Sequence, residues 1–136
     1  MDLFKQFKTD EAKEQDGTWV ELDNGSAKLK IARMNNPRYR EAQARKLNRY
    51  KMAARSKVVP EKVWGEILNE LIAETILVDW AGITKDEQPF VYSVENAKQA
   101  LTELKDFREM VLSFADDIAN FKSELDEATE KNSVTP

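Results

Sequence analysis

The chain of 136 residues contains no cysteine and no histidine. Together these absences remove thiol nucleophiles, Ser-His-Asp triads, Cys/His zinc sites, haem attachment and disulfides. Glycine and proline number only four each, too few for a collagenous or linker-like chain. No uncharged apolar run approaches the roughly eighteen residues of a membrane span. The opening MDLFKQFKTDE lacks the apolar stretch of a signal peptide. A cytoplasmic protein without membrane contact is expected, and the missing cysteine does not oppose that address.

What is present describes a helix-rich globular protein. Apolar residues make up 41% and charged residues 34% of the chain, and the length suits one domain spanning residues 1–136 with one sizeable core. The net charge of −4 hides a segregation. Residues 26–57 hold eleven Lys or Arg against a single acid, whereas each of the three other blocks, 1–25, 58–93 and 94–136, is acidic by four or five charges. Such a block suits nucleic acid, an acidic partner, or the acidic remainder of its own or a neighbouring chain.

Periodicity divides the chain into an arm (1–16), a hairpin (18–33), a helical region (37–128) and a flexible tail (129–136). In the arm, Leu3, Phe4 and Phe7 are spaced as on one helical turn. Two alternating runs, Thr18–Leu22 and Ala27–Ile31, flank Asp23, Asn24 and Gly25, which is hairpin chemistry. Its covered face presents Val20 and Leu22, or Leu29 and Ile31. The fold class is mainly α: a small helical domain with an N-terminal β-hairpin packed on it, since a lone hairpin is marginal in water.

Asn36 as N-cap and Pro37 at the first helical position open a basic helix. Tyr39, Leu47, Tyr50 and Ala54 form its apolar stripe, and Arg38, Arg40, Arg45, Arg49, Lys51 and Arg55 lie mostly on the other side. Pro60 opens a second helix running to about Trp80 and stopping near Gly82. Its wide apolar face includes Val63, Trp64, Ile67, Leu71, Ile72 and Val78, with Glu66, Glu70 and Glu74 on the wet face. The three tryptophans, Trp19, Trp64 and Trp80, are read as core. A loop over 81–93 follows, then a short helix capped by Ser93 from Val94 to about Leu104. A last helix carries Phe107, Val111, Phe114, Ile118, Phe121 and Leu125 as a heptad seam, with the helix at 60–80 as its partner.

The residue types that could do chemistry are poorly placed for it. Asp116 and Asp117 are adjacent on a helix, hence about 100° apart around its axis. Asp86 and Glu87 lack the spaced ligands of a calcium loop, and there is no GxxxxGK[ST], GxGxxG or HExxH. The expectation is a protein without catalytic residues, cofactor or metal.

In order along the chain stand the hairpin with Trp19 that ends in Ala32 and Arg33, then Asn36, Pro37 and Tyr39. Further on come Asp79, Trp80, Gly82 and Ile83, an acidic turn at Asp86, Pro89 and Phe90, and finally Ser93, Val94, Glu95, Asn96 and Ala97. From Trp19 to Lys131 this pattern resembles the tail assembly chaperones of long-tailed, siphovirus-like bacteriophages. Their acidic turn usually looks like Asp plus Gly, where this chain has Asp86, Glu87 and Gln88, so a looser loop is expected. The resemblance implies a phage or prophage protein of the host cytoplasm, absent from the mature virion, that binds the tail tape measure protein and recruits tail tube subunits. Such families include a frameshifted longer form. The basic face, Arg38, Arg45, Arg49 and Arg55, is the expected site for a partner or for self-association into a homo-oligomer. The alternatives are a nucleic-acid-binding accessory protein using the basic helix 37–57, with non-specific phosphate contacts only, and a minor tail structural protein.

Overall fold

Alternation with period two decides which side of each strand is covered. In a computed structural model, which describes residues 1–123, strand β1 (Thr18–Leu22) pairs antiparallel with β2 (Ala27–Ile31). Val20 stands opposite Leu29, and Thr18 opposite Ile31. Directly opposed residues share a face, so Val20, Leu22, Leu29 and Ile31 are not alternatives: all four face the core. Trp19 then falls on the outer face, 41% exposed, with the Lys28 ammonium 4.4 Å from its ring centroid. This corrects the reading of Trp19 as core. Asp23 (φ 51°), Asn24 (φ 55°) and Gly25 (φ 88°) make the turn in left-handed conformations, which Asn, Asp and Gly adopt most readily.

Helices α1 (Leu3–Phe7) and α2 (Glu11–Asp16) precede the hairpin. The root of this arm is fastened, because the Asp10 amide donates to the Phe121 carbonyl (2.7 Å) and the Glu14 carboxylate pairs with Arg33 (3.1 Å).

The helix expected over 60–80 ends early. Helix α3 (Pro37–Ala54) is followed by α4 (Glu61–Thr75), whose last turn closes when the Ile76 amide donates to Ile72. The chain then extends as β3 (Leu77–Ala81), antiparallel to β2, with Leu29 opposite Trp80. The sheet order is β1-β2-β3, and a register shift lets Val78 bulge between Leu77 and Asp79. A continuous apolar run carries no period to separate helix from strand, and here the β-branched Ile76 and Val78 with Trp80 favour the strand.

The expected loop over 81–93 contains a two-stranded ribbon, β4 (Thr84–Lys85) and β5 (Gln88–Pro89). Its turn is tight after all: Asp86 (φ 51°) and Glu87 (φ 66°) both take left-handed backbone without a glycine. Gly82 permits the close approach that starts this ribbon, since a Cβ there would lie 2.2 Å from the Ser26 carbonyl oxygen. Trp80 locks the segment: its indole N–H donates to the Phe90 carbonyl (2.7 Å), Phe90 stacks on it, and Tyr92 meets it edge-on.

Ser93 caps α5 (Val94–Glu103), accepting from the Asn96 amide at 2.9 Å. Helix α6 (Lys105–Asp116) packs on α5 and β2, not chiefly on α4 as expected. It also stops before the seam is complete. Two carboxylates, Asp116 and Asp117, sit at its negative end, where the helix dipole opposes them. The Asn120 side-chain Nδ2 donates to the Phe114 carbonyl (2.9 Å), and a 3-10 turn, Ile118–Phe121, folds the buried Phe121 ring back to 6.2 Å from Phe114. Leu125 and the expected tail at 129–136 lie outside the described residues. One cluster holds the core, with Leu29, Ile31, Leu71, Ile72, Leu77, Leu101 and Val111 fully or almost fully buried.

Candidate partner-binding surfaces

Helix α3 is held mainly at its beginning. Asn36, itself buried, accepts from the Tyr39 amide through Oδ1 (3.0 Å), while its Nδ2 donates to the carbonyls of Arg33 (2.8 Å) and Thr75 (3.1 Å). One side chain thereby caps α3 and satisfies a carbonyl in the last turn of α4. Tyr39 and Ala42 are the buried residues of α3. One turn on, the Lys46 ammonium bridges Glu70 (3.2 Å) and Glu74 (2.9 Å), and Lys98 reaches Glu70 at 2.8 Å. Partial burial pulls the Lys46 pKa down, but hydrogen bonds to Glu74 and Glu70 outweigh it and leave the pKa above its ordinary value. The hydrogen bond from Lys98, opposed by partial burial and reinforced by Lys46, holds Glu70 below the usual carboxylate range. Beyond Tyr50 the helix leaves the body of the protein: Lys51 to Ala54 are all exposed, which removes Ala54 from the expected stripe. Arg55 ends the helix in a left-handed conformation (φ 52°).

The four cations expected to form one face are not equivalent. At about 100° per residue, Arg38, Arg45 and Arg49 fall within roughly 40° of one another around the axis, and Arg55 lies about 80° or more away from them. The Arg38 guanidinium donates to the Gln15 carbonyl and so ties α3 to α2. The strip left open to solvent holds Arg45 and Arg49, with Met52, 80% exposed, continuing it. Among the described residues, Arg40, Arg45, Arg49, Lys51, Arg55 and Lys57 form no ion pair.

A second surface escaped sequence reasoning. An apolar groove of about 340 Å³ opens between the sheet, the β4–β5 ribbon and the α5–α6 corner, and Leu22, Trp80, Ile83, Phe90, Leu104 and Phe107 contribute to its walls. It exists because β3 brings Trp80 beside Leu29, so missing that strand meant missing the groove. The one available signal was Phe90 and Tyr92 two residues apart after Pro89, a pairing suited to tacking a loop onto apolar surface.

Burial pushes the Tyr39 phenol up, and burial with the Asp79 charge does the same to Tyr92. The Asp117 carboxylate is engaged in capping, accepting from the Ala119 amide at 3.0 Å. Among the described residues, no group of three His, Cys, Asp or Glu side chains could hold a metal ion, and no helix is long and apolar enough to cross a membrane.

No curated protein and no solved structure matches this chain. A family model does, that of the YdaY prophage protein, over residues 34–132. The match begins just before the Asn36 cap and takes in the basic helix, the third strand and both helices that wall the groove, leaving out the arm and the hairpin. With most of its length covered, the chain belongs to the YdaY prophage protein family.

Proposed function

We propose that this prophage protein is a non-catalytic tail assembly chaperone, which binds the tape measure protein and recruits tail tube subunits in the host cytoplasm and does not remain in the virion. Family membership supports a phage origin, and the ordered resemblance from Trp19 to Lys131 supports the tail role. The observation that carries the reading is the exposed, unpaired Arg45–Arg49 strip on α3. A binding protein that must hold an aggregation-prone partner benefits from a charged contact, which speeds encounter and stays reversible. Co-expression tests the reading. The tape measure protein should stay soluble and co-purify at low salt when this chain is present. A tape measure protein that remains insoluble, with neither it nor the tube protein captured, overturns it.

The same cations favour a second reading, an accessory protein that binds nucleic acid. Yet Tyr39 is buried and Tyr50 half-buried, so α3 offers no exposed ring on which bases could stack. Binding through phosphates alone is sequence-independent and falls steeply between about 50 and 200 mM salt. A sequence-specific footprint surviving the upper end of that range would put this reading first.

A further inference from the structure

We infer that the free edge of β1 is a docking site for an extended segment of another protein, which joins the sheet as a fourth strand. The site uses none of the cations on α3 and stands apart from the tail-assembly reading.

In an antiparallel sheet, alternate residues of an edge strand turn their N–H and C=O groups away from the neighbouring strand. The three-stranded sheet has two such edges, β1 and β3, and they are treated differently. On β3 the Trp80 amide donates to the Asp79 carboxylate (2.8 Å), the Leu77 carbonyl accepts from the Tyr92 hydroxyl (2.9 Å), and a bulge breaks the register. These are ways of closing an edge. On β1 nothing of the kind occurs. Outside the hairpin itself, no backbone or side-chain group among the described residues bonds the backbone of Thr18–Leu22. The strand has no proline, keeps one register with β2 from end to end, and carries a single charge, Glu21.

The open ladder selects its occupant. A row of alternating donors and acceptors is completed by an extended chain. A helix pairs its own backbone groups internally, and a nucleic-acid backbone offers phosphate acceptors alone. The side chains refine the match. Thr18, Val20 and Leu22 lie on the inner face, half-buried, and Leu22 is also a wall of the apolar groove. Inward residues of an added strand would sit beside them on the same face, so they are apolar. On the outer face Lys28 and Lys30 turn to the Trp19 ring, 4.4 and 5.8 Å from its centroid, and Glu21 forms no ion pair among the described residues. A basic residue opposite Glu21 supplies the missing charge. A second copy would not: β1 paired antiparallel with its own kind around Val20 sets each Glu21 opposite a Trp19.

The probe is a short end-capped peptide alternating valine with lysine, titrated into the full chain and followed by amide NMR and hydrogen exchange. Saturable shifts should centre on Thr18–Leu22, and β1 amides that exchange freely without peptide should become protected. Two N-methylated versions, each blocking one set of alternate amides, separate backbone pairing from charge. The version blocked on the side facing β1 should bind about tenfold or more weakly, and the other should bind like the parent. Glu21→Lys, at an exposed position, should keep the wild-type melting temperature and shift preference by a few-fold toward a peptide with glutamate in place of lysine. No saturable binding at millimolar peptide, equal binding by both N-methylated versions, or shifts centred away from β1 would each overturn the proposal. So would a chain that is dimeric without peptide and already protected along β1, which would make a second copy the occupant.

Discussion

Helices α3 and α4 are sequence neighbours of similar length, 18 and 15 residues, that pack on each other, yet they are held in opposite ways. Helix α4 buries Ile67, Leu71, Ile72, Ala73 and Thr75, whereas α3 buries only Tyr39 and Ala42. A buried aliphatic side chain is worth about 1.5–3 kcal/mol, and an exposed ion pair about 0–1. Helix α4 is therefore fixed by burial from Ile67 to its end. Helix α3 depends on its Asn36 cap, two buried side chains and the Lys46 bridges, and it leaves its outer cations free. The helix that contributes least to stability is the one with side chains to spare for recognition.

The largest test of that contrast is Leu71→Ala, at a fully buried position on α4. It should cost about 2–5 kcal/mol in chemical denaturation, whereas Leu47→Ala, half-buried on α3, should cost about 1–2 kcal/mol. Equal losses would break the comparison. Asn36→Ala comes next, at about 2–4 kcal/mol, because it removes a cap and strands the Thr75 carbonyl. Trp64 packs half-buried against the core, so Trp64→Ala should cost about 1–3 kcal/mol. A loss near the ~5 kcal/mol of a fully buried aromatic would return it to the core proper.

Those positions also mark what the sequence made legible. Caps and turns declare themselves locally, and Asn36-Pro37, Ser93 and Asp23-Asn24-Gly25 all stand where their chemistry places them. The third strand did not, because from Ile67 to Trp80 the apolar residues are dense enough to satisfy either period. With β3 unseen, Trp80 was core of a helix rather than wall of a groove, and the groove had no reason to exist. The seam misled for the converse reason. Phe107, Val111, Phe114, Ile118 and Phe121 keep heptad spacing across a chain that turns at Asp117, so spacing alone could not reveal that Phe121 is buried by another route and Ile118 only half-buried. At the candidate site, the positions of the cations were readable, but the tether of Arg38 to Gln15 was not, since it depends on where α2 comes to rest.

The ion-pair cluster contributes less than any of these buried positions. Glu70, with its lowered pKa, contributes above the ordinary carboxylate range, and that contribution is lost as pH falls through its folded value. Lys46, with its raised pKa, contributes fully below the ordinary lysine value and loses its share as pH rises through the folded one. Glu70 is about a third exposed, so Glu70→Gln should cost under about 1 kcal/mol near neutral pH. The difference from wild type should disappear in acid. A persistent difference there would assign Glu70 a packing role.

The division of labour between the two helices is tested most directly by reversing charge on the open strip, with Arg45→Glu and Arg49→Glu in one chain. Neither residue has an ion-pair partner among the described residues, and surface changes of this kind usually move stability by no more than about 0.5 kcal/mol. Thermal melting and co-purification with the tape measure protein are read on the same preparation. The melting temperature should stay unchanged while capture of the tape measure protein is lost. Capture that persists at wild-type level, or a melting temperature that falls as far as for Leu71→Ala, would contradict that division.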